Sequence, residues 1–359
     1  MKKTRKLKGV LFASNSFLVF LIISLIDMYK WMVFFIGKLP YRGEKSYMKI
    51  AFVYSGQGAQ YFGMGQELYE KYNVVRDVFD QASKFLDLDM AKLCFEENDS
   101  LNQTTYTQPA ILTVSLAIDA LLEEKGIKPA VVAGLSLGEY SAFVKANVLS
   151  FKEAVQLVKK RGQYMTDAVP LGKGAMSAIM GLDRPTIKDA CEEASILGVV
   201  SPANYNMPGQ IAIAGIKEAV EKAGELLLER GAKRVVPLQV SGPFHTQLLE
   251  PASIQLKEAI TAISIHEPTL PVVSNTIAEV FKDKEQIKDM MVKQVMSPVY
   301  WEDSVRKMID LGVDTFIEVG PGKTLSSFIK KIDKTVTILN VENEKTLEKT
   351  MKKLAELEA

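Results

Sequence analysis

Only two cysteines, Cys94 and Cys191, occur in 359 residues, and they lie far apart. That excludes a disulfide framework and a paired-cysteine metal motif, and it makes a reducing compartment, the cytoplasm, the simpler setting. Histidine is as scarce: His245 and His266 are the only candidates for imidazole chemistry. No Cys/His/Asp cluster suggests a metal, and residues 48–359 hold no repeat or low-complexity tract. The net charge of +1 conceals an asymmetry. Residues 1–47 carry nine Lys/Arg and two Asp/Glu, so residues 48–359 keep 35 basic against 41 acidic side chains. A mildly acidic body argues against nucleic acid as a partner. With 47% hydrophobic and 24% charged residues, the chain is long enough for one large α/β domain with an inserted module.

The first 47 residues stand apart. Their apolar run, 10–26, is marginal in length for a membrane span, contains Asn15 and serines, and is cut short by Asp27 and Lys30. No small-residue cleavage site follows it. With its five leading basic residues held in the cytoplasm, everything after such a helix would lie outside. Met48 directly precedes KIAFVYSGQGAQ, which reads as the first strand of a domain. Residues 1–47 are therefore expected to lie outside the fold, as upstream sequence from a misassigned start. Membrane contact is expected only if that segment is genuine.

In the body, IAFVY at 50–54 reads as a buried strand and SGQGAQYFGMG as the loop after it. Helical patterns occupy about 66–96 and 108–125, and PAVVAG at 129–134 is a second buried strand. SFKEAVQLVKKRGQYMTDAV reads as a helix with Ser150 as N-cap and Glu153 at the capping-box position. From 175 to 240 the pattern runs β-α-β-β-α-β, the ferredoxin-like order, which can stand as an insert. The larger domain, 48–174 and 241–359, then resumes with LPVVSN, the amphipathic QIKDMMVKQVM, the strand DTFIEVG and a helix from about 344.

One stretch carries chemistry. In VVAGLSLGEY, Ser136 lies between Gly134 and Gly138, after a strand and before a helix. A G-x-S-x-G match alone arises by chance in roughly one chain in ten of this size. Its setting is that of a nucleophile elbow, in which the new helix directs N–H groups and its positive end toward the serine. A structural glycine turn is the competing reading. A nucleophilic serine needs a base. His245, in SGPFHTQ, follows a predicted strand in a Gly-Pro loop, whereas His266, in SIHEP, looks like a solvated loop residue. Two glycine motifs mislead. GQGAQYFG lacks the third dinucleotide glycine at Tyr61, and GPGKT at 320–324 is half a P-loop whose first glycine would fall at Ile317.

AFVYSGQGAQYFGMG, AGLSLGEYSAF, RGQYM, ANYNMPGQIAIAG, SGPFHT, QVMSPVYW and EVGPG together resemble bacterial malonyl-CoA:acyl-carrier-protein transacylases in order and spacing, over about 48–340. The resemblance implies an α/β-hydrolase-like large subdomain with a parallel sheet and an inserted ferredoxin-like small subdomain. It implies Ser136 as nucleophile, His245 as base and then acid, and Gln294 as the residue whose carbonyl oxygen accepts the imidazole N–H. The backbone N–H groups of Gln57 and Leu137 would form the oxyanion hole. Arg161 would hold a free carboxylate with a two-pronged ion pair, Phe244 would narrow the pocket against branched acyl groups, and Asn204 would line the cleft. Malonyl-CoA and acyl carrier protein are the implied partners, with no cofactor, no metal and a monomeric state. Lys159, Lys160, Lys233 and Arg234 are candidates for docking the acidic carrier. Leu135 departs from the histidine found before the nucleophile in many relatives. A serine hydrolase or esterase of related architecture is the alternative.

Overall fold

Five consecutive apolar residues, Ile50–Tyr54, form a fully buried strand, β1. Runs without polar alternation belong in parallel sheets covered on both faces. β1 is indeed central, flanked by β2 (Val131–Gly134) and by a strand paired in turn with the last one, all four parallel. The computed structural model describes residues 48–170, 172–240 and 242–358, so the expectations for residues 1–47 lie outside the described residues.

Between the two halves of this layer the chain builds a second sheet. It contains β3 (Gly174–Met180), β4 (Val200–Met207), β5 (Gln210–Ile216) and β6 (Arg234–Pro237), antiparallel in the order β4-β5-β3-β6. Helices Arg184–Ala194 and Lys217–Glu229 follow β3 and β5, and this layer has its own core around Ile179, Ile187, Ile213 and Leu227. That is the expected ferredoxin-like insert, beginning at Gly174. The chain then completes the parallel sheet with β7 (Thr315–Val319) and β8 (Thr337–Val341), giving the order β2-β1-β7-β8. The two sheets are tied where Val299 exchanges backbone bonds with Ala203 and Tyr205 of β4, both 2.8 Å, and where Tyr205 stacks on Tyr300 at 4.9 Å.

The register places Tyr54 of β1 opposite both Gly134 of β2 and Val319 of β7. Three strands therefore end together, and the loops that leave them converge at the carboxyl edge of the sheet, where open α/β folds hold ligands.

Several elements differ from the sequence reading. The helical stretch 66–96 is three helices, Gln66–Lys71, Asn73–Leu86 and Met90–Phe95. Asp87, at φ 49°, ends the second of them in a left-handed turn. The helix expected from 108 starts one turn earlier, at Thr104, and contains Pro109. Proline forfeits its own N–H bond there, but the burial of nearly every residue that follows decides the conformation. LPVVSN pairs only at Val272 and Val273. Ser150 and Glu153 do form the reciprocal capping box at the head of helix Phe151–Asp167.

Helix Phe151–Asp167 packs closely on helix Thr104–Glu124. A Cβ added at Gly162 would lie 2.5 Å from the Thr104 carbonyl oxygen and 2.9 Å from Thr105 Cα, both backbone atoms that cannot swing aside. Gly162→Ala therefore forces the two helices apart at the residue next to Arg161. The expected cost is about 1–3 kcal/mol, typical of overpacking, read as a lower urea midpoint at unchanged slope.

Candidate active site

The elbow forms because its glycines have no alternative. A Cβ on Gly134 would lie 2.0 Å from the backbone carbon of Gly138, and one on Gly138 would lie 2.1 Å from the Tyr54 carbonyl oxygen. Ser136 between them is held at φ 54°, a left-handed conformation that a residue with a side chain rarely adopts. Asn275 fixes it from outside. Its Oδ1 accepts the Ser136 N–H at 2.6 Å while its Nδ2 donates to the Gly134 carbonyl at 2.6 Å. Helix Gly138–Lys145 leaves the turn with its N-terminus beside the serine.

Ser136 Oγ lies 2.7 Å from His245 Nε2. The other ring nitrogen, Nδ1, faces two main-chain carbonyls, Gln294 O at 2.9 Å and Ser297 O at 3.1 Å. Both are acceptors, so Nδ1 carries the hydrogen and Nε2 is left as the acceptor for the serine proton. Gln294 thus meets the imidazole through its backbone rather than its carboxamide. His245 is also left-handed, at φ 63°, and is buried. Burial, with the Arg161 charge second, pushes its pKa down to about 4. The imidazole is therefore neutral above that value, and its capacity to accept a proton is lost as pH falls through it. The acid limb of serine acylation is expected near pH 4, well below that of a free imidazole. A profile of acylation rate against pH, with an inflection near 6.5, would contradict this.

Arg161 projects from helix Phe151–Asp167 and is only 1% exposed. Its Nη1 donates to Gln108 Oε1 at 2.9 Å; its Nη2 donates to Gln294 Oε1 at 2.9 Å and to Ser136 Oγ at 3.1 Å. Its charge sits 5.3 Å from the Tyr140 ring, and among the described residues its Nε has no hydrogen-bond partner. Among the described residues no carboxylate forms an ion pair with it. A buried cation held only by neutral oxygens is costly unless an anion arrives.

A cavity of about 290 Å³ opens over these groups, lined by Gln57, Ser136, Arg161, Asn204, Phe244 and His245 among others. Its walls come from both subdomains: Met176, Ala178 and Ala212 belong to the insert, Leu325 and Phe328 to the helix after β7. Leu137 and Gln294 do not line it; they lie buried behind the serine. The backbone N–H groups of Gln57 and Leu137 donate to no acceptor among the described residues. Gly56 lets the Gln57 loop approach, since a Cβ there would stand 2.5 Å from the Leu135 carbonyl. Lys159, Lys160, Lys233 and Arg234 are not part of the cavity wall, and His266 is exposed.

The GPGKT loop follows β7, but several donors in it and just after it are already used. Gly322 N–H bonds to Glu342, and the Leu325 and Ser326 N–H groups bond to the buried Glu318. A carboxylate occupies the helix start where a phosphate would sit. Among the described residues no group of three or more His, Cys, Asp or Glu is placed to hold a metal, and no helix is long and apolar enough to cross a membrane.

Sequence reasoning missed three members of this site: Gln108, Asn275 and Glu139. Their signal was polarity inside apolar runs, in TQPAILTV, LPVVSNT and LSLGEYSAF. All three are buried: Gln108 bonds to Arg161, Asn275 to the elbow, and Glu139 to Asn275 and Gln294.

A serine on a strand-to-helix elbow, paired with a neutral histidine beneath unused backbone donors, defines a serine-dependent acyl-transfer site. The acyl transferase domain matches residues 51–355. The chain is 46% identical over 310 residues to the malonyl CoA-acyl carrier protein transacylase of Bacillus subtilis, covering 86% of this chain and 98% of that one. It is 46% identical over 291 residues to the protein of the same description from Escherichia coli K12, covering 80% and 94%. The crystal structure of MCAT from Streptococcus pneumoniae superposes with a TM-score of 0.83 at 51% identity, covering 85% of this chain and all of that one. A type II PKS acyl-carrier protein in complex with its malonyl-transacylase includes a chain matching at TM-score 0.83 and 41% identity, covering 85% and 99%. The chain belongs to the acyl transferase family and groups within it with the malonyl-CoA:acyl-carrier-protein transacylases.

Proposed function

We propose that this protein is an S-malonyltransferase that moves the malonyl group of malonyl-CoA onto the phosphopantetheine thiol of an acyl carrier protein, for fatty-acid or polyketide synthesis. The observation that carries the reading is Arg161: a buried guanidinium 3.1 Å from the nucleophile, in no ion pair among the described residues and linked to Glu139 only through Gln294. An acyl group ending in a carboxylate supplies the missing anion, and a planar fork suits it.

In the first half-reaction Ser136 Oγ attacks the thioester carbon as its proton passes to His245 Nε2. The developing oxyanion turns to the N–H groups of Gln57 and Leu137. The carbon–sulfur bond then breaks, the imidazolium returns its proton to the leaving coenzyme A thiolate, and malonyl-Ser136 remains. In the second half-reaction the carrier thiol gives its proton to His245, attacks the ester carbon, and the serine leaves reprotonated. Two carbonyls on Nδ1 fix the imidazole's tautomer and orientation without a carboxylate. Phe244 and the aliphatic wall keep water from the ester, and Asn204 offers an amide on the insert side of the cleft.

The cycle needs no cofactor or metal. We place it in the cytoplasm, in keeping with two buried, unpaired cysteines, and in a monomer. Lys233 and Arg234, both exposed, offer charge to the acidic carrier protein.

The test is intact-protein mass in two stages. Malonyl-CoA alone should add one malonyl group, and holo carrier protein should then remove it. No adduct, together with fast thiol-independent hydrolysis of p-nitrophenyl acetate, would replace the transferase by an esterase.

A further inference from the structure

Among the described residues Glu139 is the one acidic side chain hydrogen-bonded to the core of the site, and the reaction as written does not use it. It lies in the first turn of helix Gly138–Lys145, 1% exposed, and its two oxygens face two donors. Oε1 accepts the Asn275 backbone N–H at 2.7 Å, and Oε2 accepts Gln294 Nε2 in a short bond. The same Nε2 donates to the Ser136 carbonyl at 2.9 Å, and Gln294 Oε1 accepts Arg161 Nη2 at 2.9 Å.

A carboxamide can sit in either of two orientations, and neighbours decide which. Here Glu139 and the Ser136 carbonyl are acceptors on one side, and Arg161 is a donor on the other. Only the orientation with nitrogen toward Glu139 pairs every group. Given the malonyl transfer proposed above, on which this rests, we propose that Glu139 is a positioning residue for acyl-group selection. It fixes the Gln294 carboxamide with its oxygen toward Arg161, and so aims the guanidinium at the substrate's free carboxylate.

Its location makes the role specific. Glu139 touches neither Ser136 Oγ nor His245, whose Nδ1 meets Gln294 only through the main chain. Disturbing Glu139 should therefore change which acyl group is accepted more than how fast the serine reacts. Burial pushes its pKa up to about 7, against the lowering by the Asn275 and Gln294 donors and the Arg161 charge.

The decisive variant is Glu139→Gln. A glutamine can accept from Asn275 only by turning its own NH2 toward Gln294. Gln294 must then reverse, setting its NH2 against Arg161 and its oxygen against the Ser136 carbonyl. The experiment measures serine acylation rates with malonyl-CoA and acetyl-CoA by rapid-quench intact mass, alongside thermal melting. Glu139→Gln should lower the malonyl-to-acetyl preference at least about tenfold. In an Arg161→Ala background the same change should leave the remaining preference within about twofold, because the route through Arg161 is already cut. Equal losses with both thioesters, or a preference that still falls tenfold without Arg161, would overturn the proposal. Should Glu139→Gln fail to fold, Gln294→Met removes the carboxamide but keeps the backbone carbonyl to His245. It should lower the preference by a similar factor, and an unchanged preference would overturn the proposal equally. A wild-type protein that takes neither thioester would overturn the transferase and this role together. A wild type that prefers malonyl while Glu139→Gln keeps that preference would overturn this role alone.

Discussion

Ser136→Ala abolishes acyl loading. After exposure to malonyl-CoA its intact mass is expected to stay that of the free protein, with a fall in loading rate of about 10⁴-fold or more, as when the nucleophile of a concerted catalytic set is removed. His245→Ala should fall almost as far, and the double variant little further, because the two act as one unit 2.7 Å apart. The fold should survive both changes. Ser136 Oγ anchors no element; the elbow is held by Asn275 and by the two glycines. A Ser136→Ala protein that melts like the wild type yet still acquires a malonyl group would transfer the nucleophile to another residue and remove the basis of the whole reaction.

The second large effect is a change of substrate. Arg161→Ala should lower kcat/KM for malonyl-CoA by about 10²- to 10³-fold, the range expected when one member of a buried charge pair of 2–5 kcal/mol is removed. Acetyl-CoA should gain, because its methyl group no longer faces a buried cation. Arg161→Lys should recover only part of the malonyl rate. An ammonium offers charge but not the planar fork that now spans Gln108 and Gln294. Steady-state rates with both thioesters decide it: parallel losses with malonyl and acetyl would make Arg161 a support of the serine rather than a holder of carboxylates. The sign of the stability effect is a second check. With Gln108 and Gln294 left facing the gap, part of any relief from removing the buried charge is offset by their unpaired oxygens.

What could be read from the chain and what could not follow from the range of the forces concerned. β1 and β2 were legible because burial on both faces demands unbroken apolar runs, and IAFVY and VVAG are such runs. The capping box was legible because Ser150 and Glu153 satisfy each other within one turn. Ser136 and His245 could be singled out because the elbow carries its own glycines and only two histidines compete for the role of base. The resemblance to transacylases brought in Gln57, Leu137, Gln294 and Arg161. The clamp of Asn275, Gln108 and Glu139 was not legible, because it exists only where residues 53 to 155 positions apart meet. Nor did the start of helix Thr104–Glu124 follow from local preference, which reads proline as a boundary. The use of the Gln294 backbone rather than its side chain toward His245 was equally hidden. It depends on where helix Lys284–Gln294 ends, immediately behind the imidazole.

The left-handed backbone at Ser136 and His245 has a bearing on how this protein would respond to laboratory selection. Each such conformation costs a residue with a side chain about 1–3 kcal/mol, and a typical domain has only about 5–15 kcal/mol in hand. Glycine adopts the same backbone freely. A thermostability screen blind to turnover would therefore reward glycine at Ser136 and His245 as readily as at Asp87, Asn147 and Ala278, which share that backbone, and a consensus of heat-tolerant survivors would drift toward a sturdier, inert shell. Any programme to harden this protein has to screen for loading of the serine at every round.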